Sequence, residues 1–313
     1  MILMIILILI VLIIYHKIVY INNYSLYDNI DYTPPIFNVD RNAVSQQKGK
    51  EYLSNKSVII TGLIRDSEHT IKYIKQNVYK ITKLFNNYKI IIFENDSKDN
   101  TRQELLKWVD EDNNVIILGC SGINNKTCNL NIKSFTITKG ISKNRINNLS
   151  YLRNEYLKFI KNNYSNFDFT IVYDFDINGI IYTDGILNTA YKFSINPEID
   201  AIASQSYKIK SVNNLYLFLY GDSYAYRDNN LQFMNHTIKS LFLSLFNEYP
   251  YNFKKVISAF GGFTIYRTES IIKSEYNTYL DNHGEYVCEH VGLHKNMNIY
   301  INTNMLHLQF KNN

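Results

Sequence analysis

At 313 residues, 46% hydrophobic and 19% charged, the chain is long enough to bury a substantial core and too apolar for an extended disordered polymer. The formal net charge is only +5, with Lys and Arg interleaved with Asn and not gathered into basic blocks, so no nucleic-acid footprint is present. Cys120, Cys128 and Cys288 lack zinc-ligand spacing; a Cys120–Cys128 disulfide with Cys288 left over, or three buried thiols, are both open.

The chain begins with fifteen apolar residues, then His16, Lys17 and the apolar residues 18–21. Residues 1–21 are long enough to cross a bilayer and lack both a positive n-region and a small-residue cleavage site, so they read as an uncleaved signal anchor. Lys17, placed after the span, favours a cytosolic C-terminal side on charge alone. Residues 22–55 are polar, contain Pro34-Pro35 and show no sustained period, as expected of a stem, and the folded domain is expected over 56–313.

Residues 57–66 read as a strand that breaks at Gly62. Residues 67–85 then place Ile71, Ile74, Val78, Ile81 and Leu84 at helical spacing. A second strand, 88–93, runs into Glu94-Asn95-Asp96-Ser97, followed by a helix near 101–108 and a third strand at 115–118. This alternation predicts an α/β fold whose parallel sheet carries ligand-binding loops at the carboxyl ends of its strands. No G-x-G-x-x-G or Walker lysine loop is present, which weakens the dinucleotide and ATP readings. Residues 119–140 form an Asn-rich connection without an assignment, and 141–161 read as a helix on which Arg145, Leu149 and Arg153 share a face. Two guanidinium forks on one face suit a diphosphate; an exposed pair on an amphipathic helix has the same spacing.

The stretch that organises the chain follows. Residues 169–173 are a β-branched and aromatic run that reads as a buried strand, and Asp174 and Asp176 appear at its end, one residue apart. Alternate side chains of a strand share a face, so both carboxylates can point the same way. Two hard oxygen ligands suit Mg²⁺ or Mn²⁺, which complete their coordination with phosphates and water.

Taken in order, the strand ending in Thr61-Gly62-Leu63-Ile64-Arg65-Asp66, the Glu94-Asn95-Asp96-Ser97 strand end, Arg145 to Arg153-Asn154, and Val172 to Ile177 resemble GT-A nucleotide-sugar glycosyltransferases. The nearest resemblance is to the fungal-type Golgi mannosyltransferases and the capsule-associated mannosyltransferases, and it continues through residues 220–227, 259–267 and 288–294. It implies a GT-A-like mixed, mostly parallel sheet flanked by helices, a divalent metal ion, a nucleotide-sugar donor, a glycan or glycoprotein acceptor, and a Golgi or endoplasmic reticulum lumenal site. Thr61, Gly62 and Arg65 fall where such enzymes hold the nucleotide, Glu94 and Asn95 near base and ribose, and Arg153 and Asn154 on the helix lining the diphosphate. Asp176 would bind the metal, Asp174 the metal or the ribose, and His307 near the C-terminus is the best positional match to complete the metal site, with His290 and His294 the next candidates. Gly261, Gly262 and His290 match the acceptor side, and Asp222 and Glu289 are the remaining carboxylates for catalysis. The chain departs from the capsule-associated pattern in its Asp-Phe-Asp spelling and from the Golgi pattern at 288–290, so neither donor sugar is inherited.

Residues 299–301 read as a short β segment preceding a docked tail that carries His307. Two other classes compete: a sugar- or nucleotide-binding protein on a degenerate transferase fold, and a haloacid-dehalogenase-like phosphatase. In the latter the aspartate pair follows the first strand, whereas here two or three strands precede it.

Overall fold

The β-branched runs of the first half become parallel strands because each is apolar on both faces and can be covered only by helices on each side. The computed structural model describes residues 31–34, 37, 39–126, 142–212, 215–232, 234–246 and 253–310. Helix α1 (Ala43–Leu53) precedes β1 (Ser57–Ile64), α2 (Ile71–Thr82), β2 (Asn87–Glu94), α3 (Thr101–Glu111), β3 (Val115–Leu118), α4 (Lys143–Asn163) and β4 (Phe169–Tyr173). Strands β3, β2, β1 and β4 lie side by side, all parallel. One face carries Ile60, Ile90, Ile92, Ile171 and Tyr173 under Ile74, Val78 and Ile81 of α2. The other carries Ile59, Ile91 and Val172 under Leu152, Tyr156 and Ile160 of α4. Each fully buried aliphatic side chain contributes roughly 1.5–3 kcal/mol, so this double-sided burial is the main stabilising term at the strands that carry the site.

The second half is mixed. It adds β5 (Gly179–Ile181), α5 (Thr183–Ile195), β6 (Ala201–Val212), β7 (Leu215–Tyr220), α6 (His236–Phe246), β8 (Phe253–Val256), β9 (Phe263–Arg267), α7 (Thr268–Ile271), α8 (Glu289–Leu293) and β10 (Ile299–Phe310). The path through the ten-stranded sheet is β3-β2-β1-β4-β9-β6-β10-β5, with β7 paired to β6 and β8 to β10. Strand β9 is antiparallel to both β4 and β6, while β10 is parallel to β6 and antiparallel to β5 and β8. Pairing is therefore all parallel through β3-β2-β1-β4, while the rest of the sheet is mainly antiparallel, with β6 and β10 its one parallel pair among the described residues.

The expected anchor, residues 1–21, lies outside the described residues, among which no helix is long and apolar enough to cross a membrane. Three expectations are corrected. Strand β1 does not break at Gly62 but continues, with Gly62 in register with Ile92. The stem expected over 22–55 contains α1, which packs on α5 so closely that a Cβ at Gly49 would lie 1.9 Å from the Leu187 carbonyl oxygen. The buried stripe of α1 is Ser45, Gly49 and Leu53, mostly small residues that carry no hydrophobic period. The C-terminal tail is a twelve-residue strand inside the sheet. Its polar residues are buried and bonded: Asn302 Nδ2 donates to Asn188 Oδ1 (3.0 Å) and Thr189 Oγ1 (2.8 Å). Cys120 is disulfide-bonded and Cys288 is a free buried thiol, while Cys128 lies outside the described residues.

Candidate active site

Two glycines place the acidic turn. At Gly62 a Cβ would lie 1.8 Å from the Tyr173 carbonyl oxygen and 2.8 Å from the Phe175 ring, so its absence lets the end of β4 lie against β1. Phe175 is buried in the core between the two aspartates. The Asp174 amide donates to the Gly262 carbonyl at 3.0 Å, and the Ile177 amide returns to the Asp174 carbonyl at 3.2 Å. Asp174 is thus half-buried and Asp176 exposed. Desolvation at the turn and then the Asp174 charge push the Asp176 carboxyl up to about 6. Since that side chain reaches solvent, the neighbouring charge is the cause that carries weight. Two mutually repelling, solvent-reachable carboxylates are a donor set that fits a hard divalent cation sharing its remaining positions with phosphate and water.

Behind this turn, Arg153 of α4 is buried and its donors are spent inside the protein. Its Nη2 contacts Asp174 Oδ1 (2.9 Å), its Nε contacts Glu289 Oε1 (3.1 Å), and its Nη1 reaches the Tyr156 hydroxyl at 3.4 Å. The guanidinium lies over the rings of Phe260 (5.3 Å) and Tyr276 (5.7 Å). Burial opposes its charge, but Tyr156, Asp174 and Glu289 hold it protonated, well above the ordinary arginine range.

In front of the turn is an open cleft of about 290 Å³, lined by Leu63, Arg65, Asn95, Arg145, Leu152 and Asp176 among others. It opens at the carboxyl ends of β1 and β2, where the strand alternation predicts ligand loops. Arg65 shares its charge with Asp96 (3.2 Å) and Asp66 (3.5 Å). Arg145, on the first turn of α4, is exposed and forms no ion pair among the described residues.

Asp222 accepts the Ala225 and Gly261 amides, both at 3.3 Å. Burial first, then the charges of Asp174 and Glu289 against the opposing Lys208, push its carboxyl up to about 6. Asp222, Asp174 and Glu289 therefore form one electrostatic cluster.

Other expected residues are placed differently. Thr61 is fully buried mid-strand with its hydroxyl unpartnered, away from the cleft. Glu94 is also fully buried, held by Arg102 Nη1 (2.5 Å) and the Ser97 amide (2.9 Å), so it shapes the β2 loop and does not face a ribose. Asn154 clamps the backbone of Tyr276 through both its amide atoms (2.8 Å each) and does not line the cleft. Gly261 and Gly262 adopt φ of +68° and +74°, and their carbonyls bind His307 and the Asp174 amide, so the pair is a structural turn beneath the site. His290 is buried, stacked on Phe260 at 3.7 Å with neither ring nitrogen hydrogen-bonded among the described residues and Nε2 3.8 Å from Glu289 Oε1, and is not presented to an acceptor at the surface. His307 lies beside Tyr173 (ring centroids 5.7 Å), its Nδ1 2.7 Å from the Gly261 carbonyl. Tyr173 belongs to the face opposite Asp174, so the expected joining of His307 to the aspartate pair is not seen, and no metal-sized group of three His, Cys, Asp or Glu side chains is found among the described residues. Tyr156 lies one helical turn from Arg153, but no local period connects Arg153 to Phe260 and Tyr276, more than a hundred positions away, so the aromatic box around it carries no sequence signal.

Residues 57–291 match the family model described as cryptococcal mannosyltransferase 1. That span is well over half of the chain, which belongs to this family and is a glycosyltransferase, in agreement with the capsule-associated resemblance and against the phosphatase reading. None of the curated proteins matches it by sequence. Similar solved structures include GalNAc-T7 with UDP, GalNAc and Mn²⁺ (TM-score 0.49, 9% identity, 82% of this chain and 44% of that one). Staphylococcus aureus TarS 1–349 with UDP-GlcNAc has a TM-score of 0.44 and 15% identity over 82% of this chain and 59% of its own. Mannosyltransferase PcManGT from Pyrobaculum calidifontis, with GDP-Man and Mn²⁺, has a TM-score of 0.43 and 9% identity over 85% and 63%. The chain spans less than two thirds of each of these three proteins.

Proposed function

We propose that the enzyme transfers a hexose, mannose in the first instance, from a nucleoside diphosphate donor to a glycan or glycoprotein acceptor. The observation that carries this reading is that Asp176, Arg145 and Arg65 line one cleft, while the adjacent Asp174 belongs to the buried cluster containing Arg153 and Glu289. Asp174 and Asp176 would hold Mn²⁺ or Mg²⁺, which when bound neutralises the departing nucleoside diphosphate. Arg145 and Arg65 bind phosphate oxygens from the opposite wall, and Leu63, Leu149 and Leu152 exclude water from one side of the donor. Asp222, partly exposed and with its carboxyl pushed up to about 6 by burial and the neighbouring carboxylates, takes the acceptor hydroxyl proton in an inverting reaction. Glu289, engaged by Arg153, keeps its place as an orienting carboxylate.

By the same proposal, residues 1–21 anchor the enzyme, with its catalytic domain in a Golgi or endoplasmic reticulum lumen. The disulfide at Cys120 supports an oxidising compartment, against the charge preference of Lys17. The test is a panel of GDP- and UDP-hexoses incubated with the full chain in detergent, with and without Mn²⁺. Release of nucleoside diphosphate that requires Mn²⁺ is expected, and neither binding nor turnover of any nucleotide sugar would sink the proposal.

A further inference from the structure

We infer that Arg153 is a positioning residue that couples the metal-side carboxylate to the acceptor-side carboxylate and does not touch the donor. The inference rests on the metal-dependent reading above. One guanidinium contacts Asp174 with Nη2 and Glu289 with Nε, so two carboxylates, from the turn after β4 and from α8, far apart in sequence, are set by one rigid fork on α4. The fork cannot swing toward a phosphate. Its side chain is 6% exposed, it lies between the rings of Phe260 and Tyr276, and the Tyr156 hydroxyl, itself bonded to the Tyr276 hydroxyl at 3.0 Å, closes a third side. It is also absent from the wall of the cleft, where Arg145 and Arg65 supply the cationic surface.

The consequence is an exchange of charge within one cluster. Arg153 occupies Oδ1 of Asp174, leaving the second oxygen for a cation, and Glu289 divides the guanidinium charge so that it does not hold Asp174 alone. Neutralising Glu289 concentrates Arg153 on Asp174 and weakens cation binding, although Glu289 is not itself a ligand. Such outer contacts to a liganding carboxylate typically change metal affinity by about 10–100-fold.

The test measures Mn²⁺ alone, and GDP or UDP without metal, by titration calorimetry on the full chain in detergent. Arg153→Lys, which keeps the charge but not the fork, is expected to lose about tenfold in Mn²⁺ affinity and in kcat while metal-free nucleotide affinity stays unchanged. Should that buried variant not fold, Glu289→Gln carries the same test, with weaker Mn²⁺ binding and unchanged metal-free nucleotide binding. Loss of metal-free nucleotide affinity in Arg153→Lys, or unchanged Mn²⁺ affinity in Glu289→Gln, overturns the inference. Wild-type protein that binds no Mn²⁺ and turns over no nucleotide sugar would overturn the functional reading instead, a distinguishable result.

Discussion

The amide of Asp174 donates to the carbonyl of Gly262 at 3.0 Å, which ties the acidic turn to the glycine turn. Gly262 holds φ at +74°, and a Cβ there would lie 2.9 Å from both His307 Cε1 and Gln309 Nε2. Left-handed backbone costs a side-chain-bearing residue about 1–2 kcal/mol before any clash. Gly262→Ala should therefore lower Tm by several degrees and, by displacing Asp174, lower Mn²⁺ affinity. An unchanged Tm would return Gly262 to an ordinary turn.

Asp176 is exposed, so Asp176→Asn should leave the unfolding free energy within about 0.5 kcal/mol of wild type. Metal-dependent transfer should fall to background, because the amide keeps the volume and loses the charge. Full activity in this variant would remove Asp176 from the metal site.

Arg145 is the cleft cation without an ion pair among the described residues, so it has charge to give a diphosphate. Removing a charge-assisted bond costs about 1.5–3 kcal/mol, so Arg145→Ala should weaken nucleoside diphosphate binding roughly 10- to 100-fold without lowering Tm. Equal affinity in calorimetry would place Arg145 outside the donor site.

Asn154→Leu separates structure from chemistry. It would leave the Tyr276 amide and carbonyl without their partner, at a cost of about 1–3 kcal/mol for each buried group left unsatisfied. Reduced urea stability with unchanged donor affinity is expected; the reverse pattern would restore Asn154 to the diphosphate wall.

His294 provides the pH test. Burial lowers its pKa to about 3, and its ring nitrogens meet the Ser258 and Tyr266 hydroxyls at 2.9 and 2.8 Å. The folded pKa lies below the unfolded value near 6.5, so between them the unfolded chain binds more protons. This contribution is intact above pH 6.5 and is lost as pH falls from 6.5 toward 3, amounting to about 2 kcal/mol at pH 5. Urea unfolding at pH 7 and pH 5 should show His294→Gln losing less stability on acidification than wild type. Equal losses would mean that His294 does not set the slope.

The sequence by itself determined the parallel half of the fold, because β1 through β4 are apolar on both faces and their connecting helices are amphipathic, and such patterns are local. It also located Asp174 and Asp176, since strand alternation and the turn after Tyr173 are encoded within a few residues. Only the tertiary structure decided what surrounds them. Arg145 and Arg153 share a helix and a spacing, yet one lines the cleft and the other is buried between rings contributed by Phe260 and Tyr276. Likewise α1 and β10 looked like stem and tail because their buried faces use Ser, Gly, Asn and His, whose burial depends on distant partners such as Leu187, Asn188 and Gly261. Polar residues reveal their burial only when those partners are in place, because an unpaired polar group is stable in water and a paired one is stable inside.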